Sequence, residues 1–143
     1  MTTTTNRYLS YPAAAAGISR ASSGSTGWSW SAYTELVPAS TITSTFYIAG
    51  LTWSWHTPQA VADTTYEWLI DLASGSGGAE VLVAQFPGSV RADTVAGYPT
   101  TMFVVLPEPK QIAANTRLSL RVAYSLATTS NTLTGMKLWY QMA

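Results

Sequence analysis

The sequence predicts an all-β protein, a single β-sandwich of jelly-roll type with about eight antiparallel strands. Three observations carry that expectation. From residue 28 onward apolar and polar side chains alternate with period two in segment after segment, as they do when successive side chains point to opposite faces of a strand. Turn residues separate those segments, and no stretch carries a convincing amphipathic helical pattern. Strand count and the absence of cysteine favour a jelly roll over an immunoglobulin-like sandwich.

In chain order, residues Met1 to Gly27 are rich in Thr, Ser, Ala and Gly, and Tyr8, Leu9, Tyr11 and Ile18 are their only sizeable apolar side chains. Such a segment buries too little surface to fold alone, so 1–27 is expected to be an extended N-terminal arm ahead of a sandwich at 28–143. Ala13 to Ala16 lies between Pro12 and Gly17, too short a run for an isolated helix. Trp28, Trp30, Ala32, Thr34 and Leu36 alternate with Ser29, Ser31, Tyr33 and Glu35 up to Pro38, which predicts a first strand. Ile42 to Trp55 predicts one long kinked strand or two short ones, with Gly50 marking a bulge or bend.

The organising stretch is Thr64 to Pro87. Tyr66, Trp68, Ile70 and Leu72 share one strand face and Glu67 and Asp71 the other, followed by the glycine-rich turn from Gly75 to Gly78. Beyond it Val81 and Val83 alternate with Leu82 and Ala84, a strand apolar on both sides and expected to be covered on both. The pair reads as the central hairpin. Thr100 to Leu106 is a further strand, expected to stop at Pro107-Glu-Pro. Leu118, Leu120, Val122 and Tyr124 face a core while Arg117, Ser119 and Arg121 face outward, and Thr132 to Met142 closes the fold with Leu133 out of phase with Met136, Leu138 and Tyr140.

Composition narrows the function classes. Of 143 residues 47% are hydrophobic and only 10% charged, against roughly 25% in ordinary soluble domains, so much of the surface is expected to be covered by partners. A net charge of zero leaves no electrostatic footprint for nucleic acid or an anionic membrane, and neither is expected as a partner. Without cysteine there are no disulfides, thiolate metal sites or cysteine nucleophiles. No apolar run reaches the roughly 18 residues of a membrane-spanning helix.

Tests for chemistry end without a constellation. His56 is the only histidine, too few for a histidine-rich metal centre. Gly75-Ser76-Gly77 lies in a hairpin turn and not at a strand-to-helix elbow. Glu67 and Asp71 stand roughly 13 Å apart along one strand, outside the usual spacing of glycosidase carboxylates, and read as solvent-face residues. No enzyme activity, metal or cofactor is expected. The most distinctive local feature is a repeat, Trp28-Ser29-Trp30 and Trp53-Ser54-Trp55, in which both indoles of a copy would share a strand face. Exposed, the four rings would form a platform for stacking sugars; inward, they would fill a core or a subunit interface.

The second half resembles a group of small bacteriophage and prophage virion proteins. The resemblance lies in Tyr66-Glu-Trp-Leu-Ile-Asp-Leu-Ala-Ser-Gly-Ser-Gly-Gly-Ala-Glu-Val-Leu-Val-Ala, in Pro107 to Thr116, and in Arg117-Leu-Ser-Leu-Arg-Val-Ala-Tyr-Ser. It covers roughly Tyr66 to Ser125, with Asn115 where the group usually has glycine, a substitution that a left-handed turn tolerates. The resemblance implies a non-enzymatic component of a phage particle: a capsid decoration or cement protein on the virion surface, a homo-oligomer with a trimer favoured, bound to a major capsid protein or other virion subunits. Arg7, Tyr8, Leu9, Tyr11, Ile18 and Arg20 would then be the arm's partner-binding residues. The alternative is a tail-associated or receptor-binding module that holds host glycans on Trp28, Trp30, Trp53 and Trp55, and a weaker one is a free carbohydrate-binding module.

Overall fold

The structure is a computed structural model, and it describes residues 8–13, 17–21, 27–56, 64–92, 100–126 and 132–143. Its strands are β1 (Leu9–Tyr11), β2 (Ile18–Ala21), β3 (Thr34–Val37), β4 (Phe46–His56), β5 (Thr64–Ser74), β6 (Val81–Ala92), β7 (Thr100–Ile112), β8 (Leu118–Tyr124) and β9 (Thr132–Met142). Two antiparallel sheets form. One runs β1-β9-β4-β7, with β2 also pairing β9, and the other runs β3-β8-β5-β6.

The pairing is nested: β1 and β2 with β9, β3 with β8, β4 with β7, β5 with β6. One long hairpin, bent at the Gly75 to Gly78 turn and rolled up, gives that pattern, which is the jelly-roll arrangement that strand count and the absence of cysteine favoured. The tip of the hairpin is the central β5–β6 pair, and Gly75, Gly77 and Gly78 at its turn all have positive φ.

The core lies between the sheets. Tyr66, Trp68, Ile70 and Leu72 of β5 face Trp53, Trp55, Leu51 and Ile48 of β4, with Leu118, Leu120 and Val122 of β8 beside them, all buried. Trp55 stacks on Trp68 with ring centroids 6.5 Å apart and planes 8° from parallel, and Trp53 meets Phe86 edge-on at 6.5 Å. The indole N–H groups of Trp53, Trp55 and Trp68 are buried and find no acceptor among the described residues. An orphaned donor costs about 1–3 kcal/mol, whereas burying some 200 Å² of indole at 25 cal/mol per Å² contributes about 5 kcal/mol, so the rings stabilise the core despite their N–H groups. Tyr124 of one sheet accepts the Leu133 backbone N–H of the other at 3.0 Å, a buried link between the layers.

Several elements differ from the sequence expectation, each for a local reason. β7 runs through Pro107 and Pro109 because it is an edge strand, where a missing N–H goes unnoticed, and because four residues bulge out opposite Ala49: Ile48 pairs Lys110, while Gly50 pairs Val105. β4 is one strand whose register shifts at that point against both β7 and β9. Leu133, Met136 and Leu138 are all buried because the β4–β9 register slips between Thr52 and Ser54, which absorbs the phase change. The first predicted strand forms only over Thr34–Val37. Asn115 has φ of 63°, the left-handed turn position expected of it. Val81 and Leu82 are exposed, not covered, since β6 is the edge of its sheet.

Candidate functional site

Two surfaces concentrate the side chains that the core does not use. The first is the outer face of the β1-β9-β4-β7 sheet. Odd-numbered residues of β7 point outward, so Phe103 and Val105 stand 54% and 58% exposed. Phe103 lies over Gly50, and a Cβ there would collide with the Val104 carbonyl and reach the Phe103 ring at 3.2 Å. Gly50 therefore lets the edge strand close in and gives the ring a floor. Trp139 of β9 meets Phe103 edge-on at 5.8 Å and donates its indole N–H to Thr52 Oγ1 at 3.0 Å. With Tyr8 and Ala49 these residues line an open, almost wholly apolar groove of about 410 Å³.

The second surface is the outer face of the β3-β8-β5-β6 sheet. Asp71, Arg121 and Gln85 are directly opposed on β5, β8 and β6. Arg121 donates Nε to Asp71 Oδ2 at 2.9 Å, and Gln85 donates Nε2 to Oδ1 at 2.8 Å. The guanidinium carbon sits 4.4 Å over the Trp30 ring and 4.8 Å over that of Tyr33. Asp71 is only 2% exposed, so the expectation of a solvent-face carboxylate is corrected: the segment before β3 folds over this row and buries it. Glu67 is exposed, as expected. Beside it Trp28, Leu69, Pro87 and Ser89 line a recess of about 420 Å³.

The two Trp-Ser-Trp copies are far from forming one platform. Trp53 and Trp55 are each 1% exposed and belong to the core, which removes them as glycan-stacking or interface residues. Trp28 and Trp30 are not on a strand; Trp28 has φ of 61° and is 47% exposed, while Trp30 is half-buried against Arg121. Of the arm residues, Leu9 and Tyr11 lie on β1 and Ile18 and Arg20 on β2, paired with β9 of the same chain. Tyr11 and Ile18 also pack against the core. Tyr8 is exposed in the apolar groove, and Arg7 lies outside the described residues. Sequence reasoning missed Phe103, Val105 and Trp139; the strand alternation of β7 held the signal, but which face looked inward depended on its partner. Among the described residues no three His, Asp or Glu side chains gather where they could hold a metal ion.

No family model matches the sequence, and no curated protein matches it. Solved structures do align. The structure of infectious bursal disease virus Gt strain matches at 13% identity and a TM-score of 0.48 over 95% of this chain and 32% of the viral chain. The desmodium yellow mottle tymovirus structure matches at 10% identity and 0.39, over 99% of this chain and 90% of that one. Eiger TNF from S. frugiperda matches at 12% and 0.38, over 68% and 60%. This chain thus spans about a third of the bursal disease virus chain. Every one of these TM-scores is below 0.5, and the jelly-roll assignment stands on the strand order itself.

Proposed function

We propose that the chain is a structural subunit of a bacteriophage particle, a capsid decoration or cement protein that works by being packed against other virion subunits. The observation that carries it is the apolar groove formed by Tyr8, Phe103, Val105 and Trp139 on a protein with few charges. Exposed apolar side chains gathered along one groove suit a face that another protein covers. The sequence resemblance to phage virion proteins supports the same reading. So does the position of Tyr8, a residue of the arm that lines the groove. The major capsid protein or another copy of the chain would be the covering partner.

The experiment is to label the chain on purified particles and image them. Label on the head surface is the expected outcome; label on the tail would favour the tail-associated alternative, and particles free of the chain would overturn both. Arm anchoring has its own test. Because β1 and β2 belong to the sheet, the informative deletion is residues 2–7, which leaves them intact. Particles that retain their full complement of the shortened chain would rule out anchoring by that segment.

A further inference from the structure

The recess beside Glu67 has a filled counterpart on the same sheet face. In the filled row, Asp71 of β5 faces Arg121 of β8, and the guanidinium that pairs with that carboxylate lies over the rings of Trp30 and Tyr33. Glu67 is the next carboxylate along the same face of β5. The register that pairs Trp68 with Tyr124 brings Ser125 alongside Glu67; the Ser125 N–H donates to the Glu67 carbonyl at 2.9 Å, and Ser125 Oγ accepts the Glu67 N–H at 3.0 Å. Trp28, two residues before Trp30, supplies the indole, and Leu69, Pro87 and Ser89 complete the walls. A carboxylate and an indole thus recur beside each other, but the position that holds arginine in one row holds serine in the other.

We propose that this recess receives the guanidinium of an arginine from a neighbouring subunit, which would stack on Trp28 and pair with Glu67 as Arg121 does with Trp30 and Asp71. A planar cation that can stack on an indole while bonding a carboxylate in its plane is what distinguishes arginine from lysine. Charge agrees, since the Glu67 carboxylate has no hydrogen-bond or ion-pair partner among the described residues. Trp28 is also held with φ of 61°, a conformation that bulky residues rarely adopt, and its N–H is fixed to the Tyr124 carbonyl. Backbone strain of this kind collects where a side chain is held in place for contact. That a virion neighbour supplies the arginine rests on the structural-subunit reading; that the recess binds a guanidinium does not.

The test uses the full chain labelled at its indole nitrogens and backbone amides, titrated by NMR with N-acetylarginine amide. Saturable shifts at the Trp28 indole and the Glu67 and Leu69 amides are expected, with a dissociation constant on the order of 10 mM, as befits one exposed pair. Glu67→Gln should weaken binding about fivefold, the loss of roughly one exposed ion pair. Trp28→Ala should abolish the shifts at residues 67 and 69 while the core indole resonances of Trp53, Trp55 and Trp68 stay in place. The neutral isostere N-acetylcitrulline amide should leave Trp28 unmoved. Absence of any saturable shift with arginine, equal binding of citrulline or of N-acetyllysine amide, or saturation by a methyl glycoside instead, would each overturn the proposal. None of these outcomes depends on finding the chain in a particle, so the recess and the virion assignment can fail separately.

Discussion

Trp53-Ser54-Trp55 and Trp28-Ser29-Trp30 are the same tripeptide with opposite fates. The later copy sits in β4, hydrogen-bonded to β7 on one side and β9 on the other, so its backbone is held extended and both indoles project into the core. The earlier copy precedes β3, an edge strand, and is held to β8 by the Trp28 N–H on the Tyr124 carbonyl, with the Ser31 N–H on the Val122 carbonyl just after it. Outside any strand ladder the backbone leaves the extended region: Trp28 turns left-handed and its indole stays on the outer surface. Identical side chains thus become core or surface according to whether their backbone belongs to a strand.

The largest expected effect tests that contrast directly. Trp55→Ala removes a ring that stacks on Trp68 and meets Tyr66 at a tilt, and should cost about 3–5 kcal/mol in chemical denaturation. Trp28→Ala should change stability by no more than about 0.5 kcal/mol. Similar losses for the two variants would mean that the earlier copy is part of the core after all. The two carboxylates of β5 give a parallel contrast. Asp71→Ala leaves Arg121 without its partner; breaking a buried pair costs about 3–5 kcal/mol, and with a third of the Arg121 side chain in solvent about 2–3 kcal/mol is expected here. Glu67→Gln on the exposed row should be near neutral in the same assay.

Gly88 sharpens the comparison from the strand side. It lies opposite Trp68 in the ladder, and a Cβ on it would reach Trp68 Cζ2 at 2.7 Å and the pyrrole edge closer still. Gly88→Ala should therefore cost about 1–3 kcal/mol by overpacking, read from the shift of the denaturation midpoint. Gly77→Ala meets no neighbour; its penalty comes from the positive φ alone and should be smaller.

Much of the sandwich was legible because strand alternation reports burial directly. Tyr66, Trp68, Ile70 and Leu72, and later Leu118, Leu120, Val122 and Tyr124, are core because every second residue must point the same way. What alternation leaves undetermined is what lies on the far side of each face. Asp71 reads as solvent-facing until a segment 40 residues earlier folds over it, and Val81 and Leu82 read as covered until β6 proves to be an edge. Pro107 and Pro109 read as a stop for the same reason, since only an edge position makes them harmless. The groove was hidden in a similar way: Phe103 and Trp139 lie 36 residues apart and meet only because β4 separates β7 from β9 by a single strand with glycine at its centre.

That groove carries the last prediction, in which stability and assembly should part company. Val105 points outward from the edge strand and is more than half exposed, so Val105→Lys places an ammonium in solvent on a flexible stem. The fold should lose no more than about 0.5 kcal/mol. If another subunit covers the groove, however, that ammonium is buried against Phe103 and Trp139 without a partner, and an uncompensated charge in an apolar contact costs several kcal/mol. Retention on particles should therefore fall by an order of magnitude or more at unchanged thermal stability, measured by quantifying the variant on purified particles against the unmodified chain. A Val105→Lys chain that is incorporated normally would mean that the apolar face stays open to water in the assembled particle, and the covering partner would have to sit on the Glu67 face instead.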